Sequence, residues 1–360
     1  MLAVAEVLIL GGGVMGLAIA LELRSRGAKV SVVCRDFDES ASLAAAGMLA
    51  PQAEGLPAGV MRDLCIRSRD LYPTWIPKIE ALSGQDAGYW QSGILAPFYG
   101  FSSNHVSTAY DRKQVLKIQP HLGDEVQGGH WFPDDAQVDN RKLSRSLRAA
   151  AIAVGVDLRS GVTATAVRRS GDRVTAIDTT NGPMQAEHYI LATGAWSQSL
   201  LPIPVTPRKG QMMSVRVPRC EDAKDVPPNL SLKTVLFGDD IYMVPRRDGR
   251  IVIGATVEDV GFTPGNTPEG MVHLLQAATR LFPSIATYSL ENFWYGYRPA
   301  TPDELPILGE SPYQNLTYAT GHYRNGILLT PITGQLIADW VWDQTRDPLL
   351  KSFHWSRLSP

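Results

Sequence analysis

The chain has 360 residues, 44% of them apolar, with 34 Lys and Arg against 36 Asp and Glu for a formal charge of -2. That length supports a large core shared by two joined domains, and the evenly spread charge provides no basic stripe for nucleic acid and none for an anionic membrane. Cys34, Cys65 and Cys220 lie far apart without Cys-x-x-Cys spacing, and the seven histidines show no ligand spacing. A disulfide framework and a metal site are therefore excluded as expectations, and a reducing compartment is implied.

In chain order, residues 6–10 are a short apolar strand ending in Gly11-Gly12-Gly13, and a helical pattern then runs through Leu17, Ala20, Leu21 and Leu23 to Gly27. Residues 29–33 read as a second buried strand, completing a βαβ unit. The uncharged stretch 7–21 is shorter than a membrane span, is broken by four glycines and follows Glu6 in place of a basic leader, so no integral span and no export signal are expected. The cytoplasm is the expected location. Residues 142–154 predict a helix, and 190–194 a strand closing on a glycine. Residues 211–217, 241–244 and 251–255 are strand-like, with Asp248-Gly249 as a hairpin turn, and together predict an antiparallel sheet. The charged, proline-containing stretch 219–229 reads as a surface loop, and 332–342 returns to helical periodicity after Pro331. There is no internal repeat.

Gly11, Gly13 and Gly16 form G-x-G-x-x-G after a strand and at the mouth of a helix, the context of a dinucleotide fingerprint. The first glycine permits the tight turn, the second a close approach of a pyrophosphate, and the third close packing of helix on strand. The helix start then offers free N–H groups and a partial positive charge. This pattern does not separate NAD from FAD. Downstream stands Ala44-Ala45-Ala46-Gly47-Met48-Leu49-Ala50-Pro51, which on its own reads as a helix face or a packed turn. Ala192-Thr193-Gly194-Ala195-Trp196-Ser197, the strand entered at Pro207 to Gln211, Tyr242-Met243-Val244-Pro245-Arg246, Gly296-Tyr297-Arg298-Pro299 and residues 321–328 follow.

In that order these segments resemble the D-amino-acid oxidase and glycine oxidase superfamily of FAD-dependent oxidoreductases, over nearly the whole chain. The nearest resemblance is to the glycine oxidases that feed bacterial thiazole synthesis for thiamin. The resemblance implies a doubly wound Rossmann-type FAD domain (1–82, 138–205 and 303–360), interleaved with an α+β substrate domain on an antiparallel sheet (83–137 and 206–302). It places Val14 and Met15 at the pyrophosphate turn, and Ala41, Ser42, Ala46, Gly47 and Met48 along the ribityl chain and ring. Val162 would meet the adenine through its backbone. His322, Tyr323, Arg324, Asn325, Gly326, Ile327 and Leu328 would wrap the flavin, Arg298 and Arg324 would face a substrate carboxylate, and Tyr242 would close the pocket.

Flavoproteins of this type carry an acid at the end of the second strand for the adenosine ribose, whereas Cys34 and Arg35 stand here. Asp36, backbone groups or Arg35 are the candidates to replace it. Arg298, flanked by Tyr295 and Tyr297 where charge is scarce, reads as a buried carboxylate ligand. Arg324 either touches substrate or orients its loop. No cysteine follows Cys220, so the tethering site of the monomeric sarcosine oxidases is missing and a noncovalent FAD is expected. The implied reaction is oxidation of glycine or another small amino acid by oxygen to the 2-oxo acid, ammonia and hydrogen peroxide. A secondary-amine oxidase, a quinone-linked D-amino-acid dehydrogenase and a non-catalytic flavin-binding assembly factor stay open as alternatives, and so does a homo-oligomer.

Overall fold

A computed structural model describes residues 5–100, 109–218 and 231–358. The stretch expected as a surface loop at 219–229, and Cys220 within it, lie outside the described residues. The chain opens on β1 (Ala5–Leu10), α1 (Val14–Ser25) and β2 (Val30–Cys34). It continues through a long helix α2 (Val60–Ser83) to α3 (Asn140–Ala153), β3 (Asp157–Ser160) and β4 (Ala186–Leu191). Strands β5 (Thr206–Arg216), β6 (Tyr242–Pro245), β7 (Arg250–Gly254) and β8 (Ser289–Ala300) follow. The chain returns through β9 (Ile307–Glu310) and β10 (Leu316–Thr320) to α4 (Thr330–Val341).

Six strands form one sheet in the order β9-β10-β4-β1-β2-β3, parallel except for the edge strand β9. Because side chains alternate along a strand, β1 serves two cores at once. Val7 and Ile9 pack with α1, α2, α3 and α4 on one face. Leu8 and Leu10 point to the other, where a three-stranded antiparallel sheet (Ala164–Ser170, Arg173–Thr179, Gly182–Met184) closes the core with Val174 and Ile177. The cover on that second face is thus a small sheet, which the periodicity of 164–184 did not announce.

The second large sheet has eight strands, and β8, β5, β7 and β6 are consecutive and antiparallel within it. It is not wholly antiparallel as the sequence suggested: Val235–Phe237 runs parallel to Ile94–Phe98. The long helix α2 was not expected either, since Pro73 and Pro77 lie inside it and proline removes a helical donor. Tertiary contacts hold it: Ser68 donates to the Leu328 carbonyl (2.6 Å), and the Tyr72 hydroxyl donates to that of Ile327. The helix thereby carries the turn at 322–328 that borders the site.

Candidate active site

An elongated cavity runs from the β1–α1 turn to the face of the eight-stranded sheet. At its first end Gly11 adopts φ +115°, and a methyl group there would overlap the Ala192 carbonyl of the neighbouring strand end. Gly16 lies behind the turn; its Cβ would overlap the Gly11 carbonyl, so glycine lets α1 press against β1. Val14 N–H donates to Ser42 Oγ at 3.3 Å, while the N–H groups of Gly13 and Met15 take no partner among the described residues. Free donors at the start of a twelve-residue helix suit a pyrophosphate.

Along the middle, the alanine-rich segment resolves as a packed turn: a four-residue helix (Ala41–Ala44), extended Ala45, then Gly47 at φ +78°. Its carbonyls are claimed by partners from elsewhere. Asn140 Nδ2 donates to Ser42 O (2.8 Å), Arg141 Nε to Leu43 O (3.4 Å), Trp294 Nε1 to Ala44 O (3.0 Å) and Arg246 Nη2 to Ala46 O (2.6 Å). Small side chains facing the cavity are the remainder, which leaves room for a flat ring against backbone. Gly47 could not carry a Cβ, which would overlap the Val138 carbonyl.

At the second end the sheet register builds the wall. Met212 pairs with Gly254 and Trp294, and Gly254 pairs with Tyr242, so these four form one row; Gly210 and Gly296 form the next, and Arg298 follows. A Cβ on Gly254 would fall 2.6 Å from the Tyr242 hydroxyl oxygen, and one on Gly210 would overlap the Arg298 guanidinium. Two glycines therefore let the long polar side chains lie across the sheet. Arg298 Nη1 donates to the Thr256 carbonyl at 3.1 Å, and the side chain lines the cavity beside Tyr242. Burial raises the pKa of the Tyr242 phenol, and nearby Arg298 opposes that.

Of the residues expected at the site, Gly11, Gly13, Val14, Met15, Cys34, Arg35, Ala41, Ser42, Ala46, Gly47, Met48 and Val162 line this one cavity. So do Tyr242, Arg298, His322, Tyr323, Arg324, Gly326 and Ile327. Gly16, Asn325 and Leu328 stand behind its wall; Leu328 belongs to the helical core. Val162 gives its N–H to Cys34 O (3.1 Å), so its carbonyl is the backbone group left for the cavity. Arg35 is bound to Glu39 (Nη2 to Oε2, 2.6 Å) and lies over the Trp196 ring, and Asp36 caps the next turn by accepting from Asp38 N–H (2.8 Å). His322 is buried with Nε2 3.1 Å from Thr333 Oγ1, and burial lowers it to about 3, so it is a neutral ring. Arg324 is exposed at the mouth, stacked over Tyr323.

Glu39, Glu54, Gly210 and Met212 also line the cavity, and Arg246 supports it from behind. None of these was given a site role from the sequence, although Gly210 and Arg246 stand within segments that carry the resemblance. Glu54 belongs to no motif, and the glycines become informative only once strand register sets Gly210 under Arg298. No group of three or more metal-ligating side chains occurs among the described residues, and no described helix is long and apolar enough to cross a membrane.

Fold and cavity together define a dinucleotide-binding oxidoreductase whose cofactor cavity ends on a sheet-borne arginine. The profile of the family described as FAD dependent oxidoreductase matches residues 6–340, and the chain belongs to that family. The bifunctional protein ThiO/ThiG of Trichormus variabilis is 55% identical over 98% of this chain, which spans 55% of that relative's length. The glycine oxidase of Geobacillus kaustophilus is 33% identical over 93% of this chain and 92% of its own. The crystal structure of glycine oxidase from Geobacillus kaustophilus superposes with a TM-score of 0.90 at 32% identity, covering 98% of both chains. FAD is the cofactor of this family, and the glycine cradle, free helix donors and small-residue turn fit it.

Proposed function

We propose that this chain catalyses the oxidation of glycine or another small amino acid, consuming oxygen and water and releasing the 2-oxo acid, ammonia and hydrogen peroxide. With glycine the acid is glyoxylate, and the relatives named ThiO/ThiG support a role in supplying thiazole synthesis for thiamin. The observation that carries the reading is Arg298, held across Gly210 where it lines the end of the cofactor cavity, with only one hydrogen bond, to the Thr256 carbonyl, among the described residues. FAD, noncovalently bound, supplies the hydride acceptor. The protein supplies position and charge. Arg298 grips the substrate carboxylate at two points, Tyr242 closes the side of the pocket, and the apolar turn at 44–48 excludes water from the α carbon. The positive end of the α4 dipole, three residues beyond cavity-lining Ile327, would stabilise negative charge on a nearby flavin ring.

The same reading divides the chain into an FAD domain (1–82, 138–205, 303–360) and a substrate domain (83–137, 206–302). In support, the six strands of the parallel sheet fall in the first set and the eight of the mixed sheet in the second. Peroxide release from purified protein against glycine, sarcosine, small D-amino acids and simple amines tests the activity, with a quinone as alternative acceptor. Release from glycine is the expected result; oxidation of sarcosine alone, or only with the quinone, overturns it.

Two outcomes concern the cofactor. The purified protein is expected to be yellow and to release FAD into the supernatant on denaturation, since Cys34 and Cys65 are buried thiols whose pKa burial raises, Cys34 to about 12. Flavin retained on the precipitated chain would contradict this. Cys34→Ala is expected to leave FAD affinity within about threefold, because a neutral thiol packed on Gly12 makes no charged contact with a ribose. A tenfold or greater loss, read by fluorescence titration of the apoprotein, would assign the thiol a direct role.

A further inference from the structure

Three carboxyl side chains that line the cavity are unused by this reading: Asp239 and Asp240, which are exposed, and Glu54, which is half-buried. Glu54 lines the cavity with Arg298, Tyr242 and Arg324, and its carboxyl accepts no hydrogen bond and makes no ion pair among the described residues. Its position is nonetheless well set. Asp135, fully buried, accepts from the N–H groups of Ala53 (2.8 Å) and Gln52 (3.2 Å) and is held by Arg69 Nη1 (3.2 Å), while Glu54 N–H closes the turn on Ala50 O (3.0 Å). An anchored turn that presents an unpartnered carboxyl to a pocket has a use beyond packing, because such a group gains nothing from burial.

We infer that Glu54 accepts the proton that the substrate ammonium must lose before its α C–H bond can break. The inference rests on the amino-acid oxidase reading above. An aliphatic amine is almost wholly protonated at neutral pH, and an ammonium has no lone pair to assist departure of the hydride. A small zwitterion whose carboxylate is gripped by Arg298 carries its ammonium one carbon away, and Glu54 is the carboxyl set among Arg298, Arg324 and Tyr242, whereas Asp239 and Asp240 line the same cavity but are exposed. The transfer is R-NH₃⁺ plus carboxylate to R-NH₂ plus carboxylic acid, with no other reactant. The groups around Glu54 favour it. Burial pushes the carboxyl up to about 7, with Arg324 and Arg298 lowering it and Asp135 raising it. Tyr242 and Cys65 are neutral neighbours whose own pKa values burial raises. The same guanidinium charges and the same partial desolvation push a bound ammonium down, so the two groups approach each other in acidity.

The test compares the wild-type holoenzyme with Glu54→Gln and Glu54→Asp, following kcat/KM for glycine from pH 6 to 10 together with competitive inhibition by glycolate. Glycolate has the same carboxylate but a hydroxyl in place of the ammonium. In the wild type kcat/KM is expected to rise with pH through a near-neutral ionisation. Glu54→Gln is expected to lose that limb, to fall on the order of 100-fold at pH 7 and to recover as the amine itself ionises at higher pH. Glu54→Asp retains the limb, and glycolate inhibits all three proteins within about twofold. An unchanged pH profile in Glu54→Gln overturns the inference. So does an equal loss of glycolate inhibition, which would mark a general packing role. A wild type that oxidises no amino acid overturns the oxidase reading itself, and this role with it.

Discussion

Arg298→Ala is expected to retain FAD and to lose kcat/KM for glycine by a factor on the order of 100 to 1000, about 3 to 4 kcal/mol of transition-state stabilisation, as when one member of a buried charge pair is truncated. The guanidinium lies over the sheet face because Gly210 has no side chain beneath it, and one of its donors is fixed on the Thr256 carbonyl. The remaining donors form a rigid fork for a carboxylate, which a lysine ammonium cannot reproduce. Arg298→Lys is therefore expected to recover only a small part of the loss. If the grip is equal in ground and transition states, KM rises and kcat holds; if it also aims the α carbon, both suffer. Simple amines, having no carboxylate, should be insensitive to the change. Steady-state peroxide assays decide the matter: glycine kinetics like those of the wild type in Arg298→Ala would remove this residue from the site.

The second large effect belongs to Arg246, which touches no part of the cavity. Its guanidinium is buried and donates to Ala46 O (2.6 Å), Gln137 Oε1 (2.9 Å) and Val138 O (3.2 Å), with Asp139 at 3.9 Å. It thus pins the flavin-side turn at 44–48 to β6 and to the strand Ala136–Val138. Burial lowers its pKa to about 10, with Asp139 opposing, so it stays charged at neutral pH. Arg246→Ala leaves two buried carbonyls and an amide oxygen without donors, at a cost of about 3 to 5 kcal/mol. The expected result is a thermal midpoint lowered by about 4 to 7 °C, together with flavin loss on gel filtration, since Ala46 lines the cavity. A midpoint within about 2 °C of the wild type, with full flavin content, would show that the pin is dispensable.

The N-terminal half of the site was legible in the sequence because its chemistry is local. Gly11, Gly13 and Gly16 act through the turn and helix in which they stand, and strand, glycine turn and helix fall within Ala5–Ser25, with the second strand of the βαβ pattern ending at Cys34. The 3.6 and 2.0 periodicities likewise located α3, α4 and the β6–β7 hairpin to within a few residues. The Val60–Ser83 helix was hidden by Pro73 and Pro77, whose local penalty is outweighed by contacts with the turn at 322–328, more than 200 residues away. The small sheet over Leu8 and Leu10 shows the same: its short strands alternate weakly, and a parallel sheet packed on both faces is what gives them a core.

Arg298 and Tyr242 stood out as residues, but the reason they can lie across the sheet is the strand register that places Gly210 and Gly254 beside them. Glu54 and Arg246 show this limit most clearly. A carboxyl becomes a candidate proton acceptor by facing two arginines from distant segments, and a guanidinium becomes a structural pin by meeting carbonyls from two other elements. Local backbone preference and the burial of alternating faces are written in adjacent residues, so the sequence alone determined the dinucleotide cradle, the element types and the family they resemble. Electrostatic neighbours and hydrogen-bond partners are set by which distant segments meet, and only the tertiary structure decided those.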